Sequence, residues 1–111
     1  MPSLHEIYDQ ADQLKDEGKI DEAIAKYQEA LAQDENFALA HSALAVVYGR
    51  VGKHDEAIKH AQRACEINPQ EPFSYTALSV TYQRAYAGTG EQGYIQLAED
   101  AMARARTLQG A

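Results

Sequence analysis

Gly18-Lys19-Ile20-Asp21-Glu22-Ala23-Ile24 and Gly52-Lys53-His54-Asp55-Glu56-Ala57-Ile58 are one heptapeptide written twice, 34 positions apart, with six of the seven residues identical. A repeat near this length is the signature of a stacked array of small units rather than one irregular globule. Working outward in the same register, Ala11, Ala45 and Ser79 fall 34 apart, as do Leu14, Tyr48 and Tyr82, and Gln10, Leu44 and Leu78. Ala30 pairs with Ala64, Ala43 with Ala77, and Val46 with Val80. Three units follow, at about 4–37, 38–71 and 72–111, in one domain over 1–111.

Within each unit the apolar spacing is helical. Ile7, Ala11 and Leu14 lie at i, i+4 and i+7, and Ile20, Ala23, Ile24, Tyr27, Ala30 and Leu31 form a second stripe. Gly18 and Gly52 stand between stripes, where a helix end needs tolerance of positive φ. Ser3 followed by Glu6 reads as a capping box, and Asn68-Pro69 with Pro72 breaks the chain between units two and three. Six helices are predicted, over about 3–17, 20–33, 37–50, 54–67, 71–87 and 92–108. No segment alternates like a strand. Ala11 and Ala45 facing Ala23 and Ala57 allow the two helices of a unit to approach closely, while Leu14, Tyr27 and Tyr48 fill the wider gaps.

The third unit breaks the spacing. The residue 34 after Ala57 is Glu91, unfit for a buried contact, and the fit returns seven residues later with Ile95, Ala98, Met102 and Ala105 matching His54, Ala57, Ala61 and Ala64. Seven residues are close to two helical turns, so such an insertion keeps packing phase. Gly88, Gly90 and Gly93 near 87–93 predict a first helix prolonged to about Ala87, then a glycine-rich turn.

Charge and composition exclude several functions. The 111 residues carry a net charge of −7, with 10 acidic and 3 basic residues in 4–37, against four of each in 38–71 and three of each in 72–111. An acidic end disfavours nucleic acid and anionic membrane, since phosphates need cationic partners. There is no apolar run near the ~20 residues of a membrane span. Met1-Pro2-Ser3-Leu4-His5-Glu6 has neither the basic stretch nor the apolar core of a signal peptide. Cys65 is the single cysteine. Together these predict a cytoplasmic protein.

No chemistry-bearing constellation emerges. His5, His41, His54 and His60 show no metal-ligand spacing with one another, with Cys65 or with a carboxylate. Without a strand there is no phosphate loop following one. The residues predict neither enzyme activity, cofactor nor metal.

The pattern of Ala45, Tyr48, Gly52, Asp55-Glu56-Ala57-Ile58, Ala64 and Pro69 resembles the tetratricopeptide repeat. The first unit matches it with Ala11, Leu14, Gly18, Ala23, Tyr27 and Ala30 but has Glu35 where that family usually has proline; the third matches with Leu78 and Tyr82 and a shifted second helix. The resemblance implies an all-α, right-handed superhelical stack of three antiparallel helix pairs, in which the first helix of each pair lines a concave groove for a protein or peptide partner. The groove positions it implies are Tyr8 and Asp12 in unit one, Leu39, Ala43, Val46 and Arg50 in unit two, and Phe73, Ala77, Val80 and Arg84 in unit three. Relatives that grip acidic chaperone tails do so with Lys, Asn and Arg at positions that here are Tyr8, Asp12, Ala43, Phe73 and Ala77, so that mode of binding is not expected. The last helix, with Tyr94, Ile95, Leu97, Met102 and Leu108, carries an apolar stripe wider than one neighbour covers, and no seventh helix follows. The alternative reading is self-association of two copies through that helix.

Overall fold

The structure, a computed structural model, describes residues 2–110. Six helices follow one another: α1 Leu4–Asp16, α2 Ile20–Gln33, α3 Ala38–Arg50, α4 His54–Ile67, α5 Pro72–Thr89 and α6 Gly93–Gly110. There is no strand among the described residues. Helices pair as α1–α2, α3–α4 and α5–α6, and the pairs stack through α2 on α3 and α4 on α5. Helix α3 also touches α5, so these two helices share one face of the stack.

Local chemistry sets the boundaries. Ser3 Oγ accepts from Glu6 N at 3.2 Å and caps α1. Gly18 and Gly52 both adopt φ of +80°, where any side chain would be strained. Their turns close identically: Lys19 N bonds Leu14 O and Lys53 N bonds Tyr48 O, both at 2.9 Å, across a left-handed glycine. At the N-terminus of α5, Pro72 sits in the first turn and the Glu71 carboxylate accepts from Phe73 N at 3.1 Å.

The core follows the alanines. Ala11, Ala23, Ala45 and Ala57 are all buried, which brings paired axes together, and Tyr27, Ile7, Leu44 and Val47 fill the remaining volume. Two equivalent hydrogen bonds tie successive pairs: Gln28 Nε2 to Tyr48 OH at 2.9 Å and Gln62 Nε2 to Tyr82 OH at 3.0 Å. In the third pair Ser79 replaces the alanine. Its hydroxyl is 1 % exposed and donates to Ala98 O at 2.8 Å, so the substitution leaves no buried polar atom unpaired.

The extra residues of the third pair are mostly helix. Helix α5 has 18 residues against 13 in α3, the connecting turn is three residues long in both, and α6 begins two residues before Ile95. Five residues therefore lengthen α5 and two lengthen the start of α6. Gly88 lies inside α5 rather than in a loop, and only Gly90–Gln92 form the turn. Gly90, with φ of +75°, ends α5 by a bond from its N to Tyr86 O.

Candidate functional site: a concave groove between α3 and α5

Helix α5 crosses α3 closely enough to leave a cavity of about 210 Å³, lined by Ser42 and Val46 from α3 and by Phe73, Ala77, Val80 and Arg84 from α5, among others. Its floor is apolar for a chemical reason. Thr76 Oγ1 donates to Pro72 O at 3.3 Å and Thr81 Oγ1 to Ala77 O at 2.8 Å, so both hydroxyls are spent on their own helix. Phe73 projects from the capped first turn of α5 and is 66 % exposed. At the other rim the aliphatic stem of Arg84 lies beside Gly49, and its guanidinium has no ion-pair partner among the described residues. The arrangement offers an aromatic anchor, a small apolar trough and a fork of donors at one end.

The residues implied by the sequence do not all meet there. Val46, Phe73, Ala77, Val80 and Arg84 line the cavity; Leu39, 49 % exposed, and Arg50 are on the surface away from its lining. Ala43 is not among the residues that line the cavity: it is 9 % exposed and clusters with Leu44, Val47 and Tyr27. Tyr8 and Asp12 are engaged within the first pair. Tyr8 packs edge-on to Phe37 at 5.6 Å and against Tyr27 at 5.8 Å. Tyr27 OH donates a short hydrogen bond to the Asp12 carboxylate, which also lies 3.7 Å from Lys15 Nζ. Burial, then the Asp12 hydrogen bond and charge, raise the Tyr27 pKa; burial, then Asp12 and Asp9, raise that of Tyr8.

A buried polar cluster between α3 and α4 is absent from the sequence reading. His41 Nδ1 and His60 Nδ1 are 3.0 Å apart, His41 Nε2 is 2.9 Å from Glu35 O, and the His60 ring stacks on Tyr48 at 5.6 Å. A backbone carbonyl only accepts, so His41 carries its proton on Nε2, its Nδ1 accepts, and His60 Nδ1–H donates. Burial, then His41, then Lys59, lower the His60 pKa from 6.5 to about 4. The nearest sequence signal would have been the 19-residue separation of two histidines on paired helices. Cys65 is buried, and burial followed by Glu66 pushes its thiol up to about 11, which removes it as a nucleophile.

Two family descriptions match the sequence: a TPR repeat over residues 11–52 and a tetratricopeptide repeat over residues 38–71. Between them they span 11–71, more than half of the chain. The chain is a tetratricopeptide repeat protein. Solved structures share its fold: a crystal structure of MamA, with a TM-score of 0.82 and 22 % identity over 97 % of this chain and 59 % of that one, and the second TPR of Spaghetti (RPAP3) bound to the HSP90 peptide SRMEEVD, with a TM-score of 0.78 and 21 % identity over 95 % and 91 %. The tetratricopeptide chain described here thus spans well under two thirds of the MamA chain. No curated protein matches it in sequence. Tetratricopeptide repeats are protein-interaction scaffolds, and this chain is one by family. No described helix is long and apolar enough to cross a membrane, and no group of three or more metal-ligating side chains occurs among the described residues.

Proposed function

We propose that this protein binds a segment of another protein in the α3–α5 groove, by contact and without catalysis. The observation that carries this reading is Phe73, a large exposed aromatic held by a capped first turn beside an apolar trough that Arg84 closes. Apolar anchors of the ligand lie against Val46, Phe73, Ala77 and Val80. Arg84 pairs with a carboxylate or peptide carbonyl. The acidic first repeat favours basic residues elsewhere in the same ligand. Val46→Glu with Phe73→Glu, both at partly or fully exposed sites, removes the apolar anchor while leaving the fold intact. Loss of a partner retained by wild-type protein in affinity capture, together with unchanged helicity, supports the assignment; equal recovery of that partner by the variant refutes it.

The ligand is not an acidic chaperone tail. The positions where such relatives place their cationic and amide clamp hold Tyr8, Asp12, Ala43, Phe73 and Ala77, of which Asp12 is anionic and Ala43 is buried. The peptide SRMEEVD, held by the second TPR of Spaghetti, is the direct probe. Calorimetric titration is expected to give no measurable binding; a dissociation constant of about 1 μM or below, roughly −8 kcal/mol, overturns this part of the reading.

A further inference from the structure

The α5–α6 face is a second surface, distinct from the concave groove. Between α5 and α6 lies an open groove of about 910 Å³, lined on α6 by Ile95, Glu99, Met102, Ala103 and Arg106 and on α5 by Tyr86, among others. Ile95 and Tyr86 are exposed there. Its two internal counterparts are covered, because α3 packs on α2 and α5 packs on α4 and α3.

The covering helix shows what such a groove accepts. On α3, Ala40 clusters with Ile7 and Ala30, while Leu44 and Val47 join Ala11, Ala23 and Tyr27. The residues 34 earlier on α1 are Glu6, Gln10 and Gln13, all exposed. The α5–α6 groove instead mixes charged residues, Glu99, Asp100 and Arg106, with apolar Ile95 and Met102. Such a mixed face suits an isologous contact in which the same edge meets itself across a two-fold axis.

The charges of α6 fit that symmetry. Glu99 and Arg106 are both exposed, both line the groove, and neither has an ion-pair partner among the described residues. The corresponding residues 41 earlier are Ile58 and Cys65, so the third repeat carries opposite charges where the second carries apolar side chains. Glu99 and Arg106 are seven residues apart, hence on one face of α6, with Met102 and Ala103 midway. Antiparallel pairing of two α6 helices about that midpoint sets Glu99 of each copy opposite Arg106 of the other, while Ile95, Tyr86 and Met102 become covered. The remaining electrostatics agree. Residues 72–111 hold three acidic and three basic residues, whereas the −7 excess sits in 4–37, and this pairing keeps the two acidic ends farthest apart.

We propose that the α5–α6 edge is a homodimer interface, built on antiparallel α6 helices with reciprocal Glu99–Arg106 pairs. Sedimentation equilibrium across a wide concentration range tests it. Wild-type protein is expected to approach twice 12.2 kDa. Glu99→Arg alone and Arg106→Glu alone each convert two attractions into two repulsions and weaken dimerisation by about tenfold or more. The double variant Glu99→Arg/Arg106→Glu regains the dimer, and an equimolar mixture of the two single variants forms a heterodimer. Both sites are exposed, so helicity and melting of the monomer serve as the folding control. A wild-type monomer at every concentration overturns the proposal, as does a dimer indifferent to the single reversals or not restored by the double one. Val46→Glu/Phe73→Glu leaves the dimer unchanged, which separates this proposal from the groove assignment.

Discussion

Acid should loosen the contact between α3 and α4 through the His41–His60 pair. With both rings neutral, one proton chain satisfies every nitrogen that faces inward: His60 Nδ1–H to His41 Nδ1 at 3.0 Å, and His41 Nε2–H to Glu35 O at 2.9 Å. A proton added at His60 Nε2 leaves this chain in place but charges a ring that burial, then His41 and Lys59, disfavour as a cation. The pKa of His60 is accordingly lower in the fold, about 4, than its ordinary 6.5. The unfolded chain then binds more protons between these values, so stability rises with pH across this window. The contribution is fully present above pH 6.5 and is lost as pH falls towards 4. At about 1.36 kcal/mol per pH unit the interval sets a ceiling of about 3 kcal/mol, and solvent screening of the half-buried His60 reduces it to about 1–2 kcal/mol. Urea unfolding at a series of pH values from 7.5 to 4 measures it, with carboxylate titrations subtracted by comparison with His60→Gln. The wild-type curve is expected to fall more steeply than the variant by about 1–2 kcal/mol over the window. Parallel curves would refute the lowered pKa of His60.

Three further outcomes follow from the packing. A methyl group at Gly88 would collide with the His54 ring, which offsets the gain of about 0.5–1 kcal/mol that alanine brings inside a helix, so Gly88→Ala is expected to stabilise the His54→Ala background more than the wild type in a double-mutant cycle. Ser79→Ala removes a buried donor to Ala98 O and is expected to cost about 1 kcal/mol, read as a fall in Tm of roughly 4 °C. Cys65, with its thiol held up at about 11, should react slowly with a thiol reagent at neutral pH and rapidly in denaturant; rapid native reaction would contradict its burial.

The sequence conveyed most about what is local. Ser3, Gly18, Gly52 and Pro72 act within a turn of themselves, so the chain ends and starts its helices where those residues stand. It conveyed least where several helices converge. Helix α3 is contacted by α2, α4 and α5, and seven of its thirteen residues are buried. A face assignment drawn from one repeat does not foresee that Ala43 also packs with Ala11, Ala23 and Tyr27 of the first repeat. Asp12 occupies the register of a groove residue, yet the phenol of Tyr27, 15 positions on, claims its carboxylate. The His41–His60 contact depends on the side-by-side packing of α3 and α4 and leaves no mark in either helix alone.

The insertion in the third repeat shows how a departure from the repeat is absorbed without disturbing the stack. Divided five and two, the seven residues extend both helices at the turn end and leave the turn itself three residues long. Ala98, Ala101 and Ala105 of α6 are buried, as the alanines of α4 are. The added turns then project beyond α3 and reach the start of α4. There Gly88 is what allows close approach, since His54 occupies the space that a side chain would need, and the buried Nδ1 of His54 has no hydrogen-bond partner. A buried imidazole nitrogen left unpaired costs about 1–3 kcal/mol. The overhang thus brings the end of α5 against the start of α4, on top of the packing that α5 makes with α4 and α3 along its length.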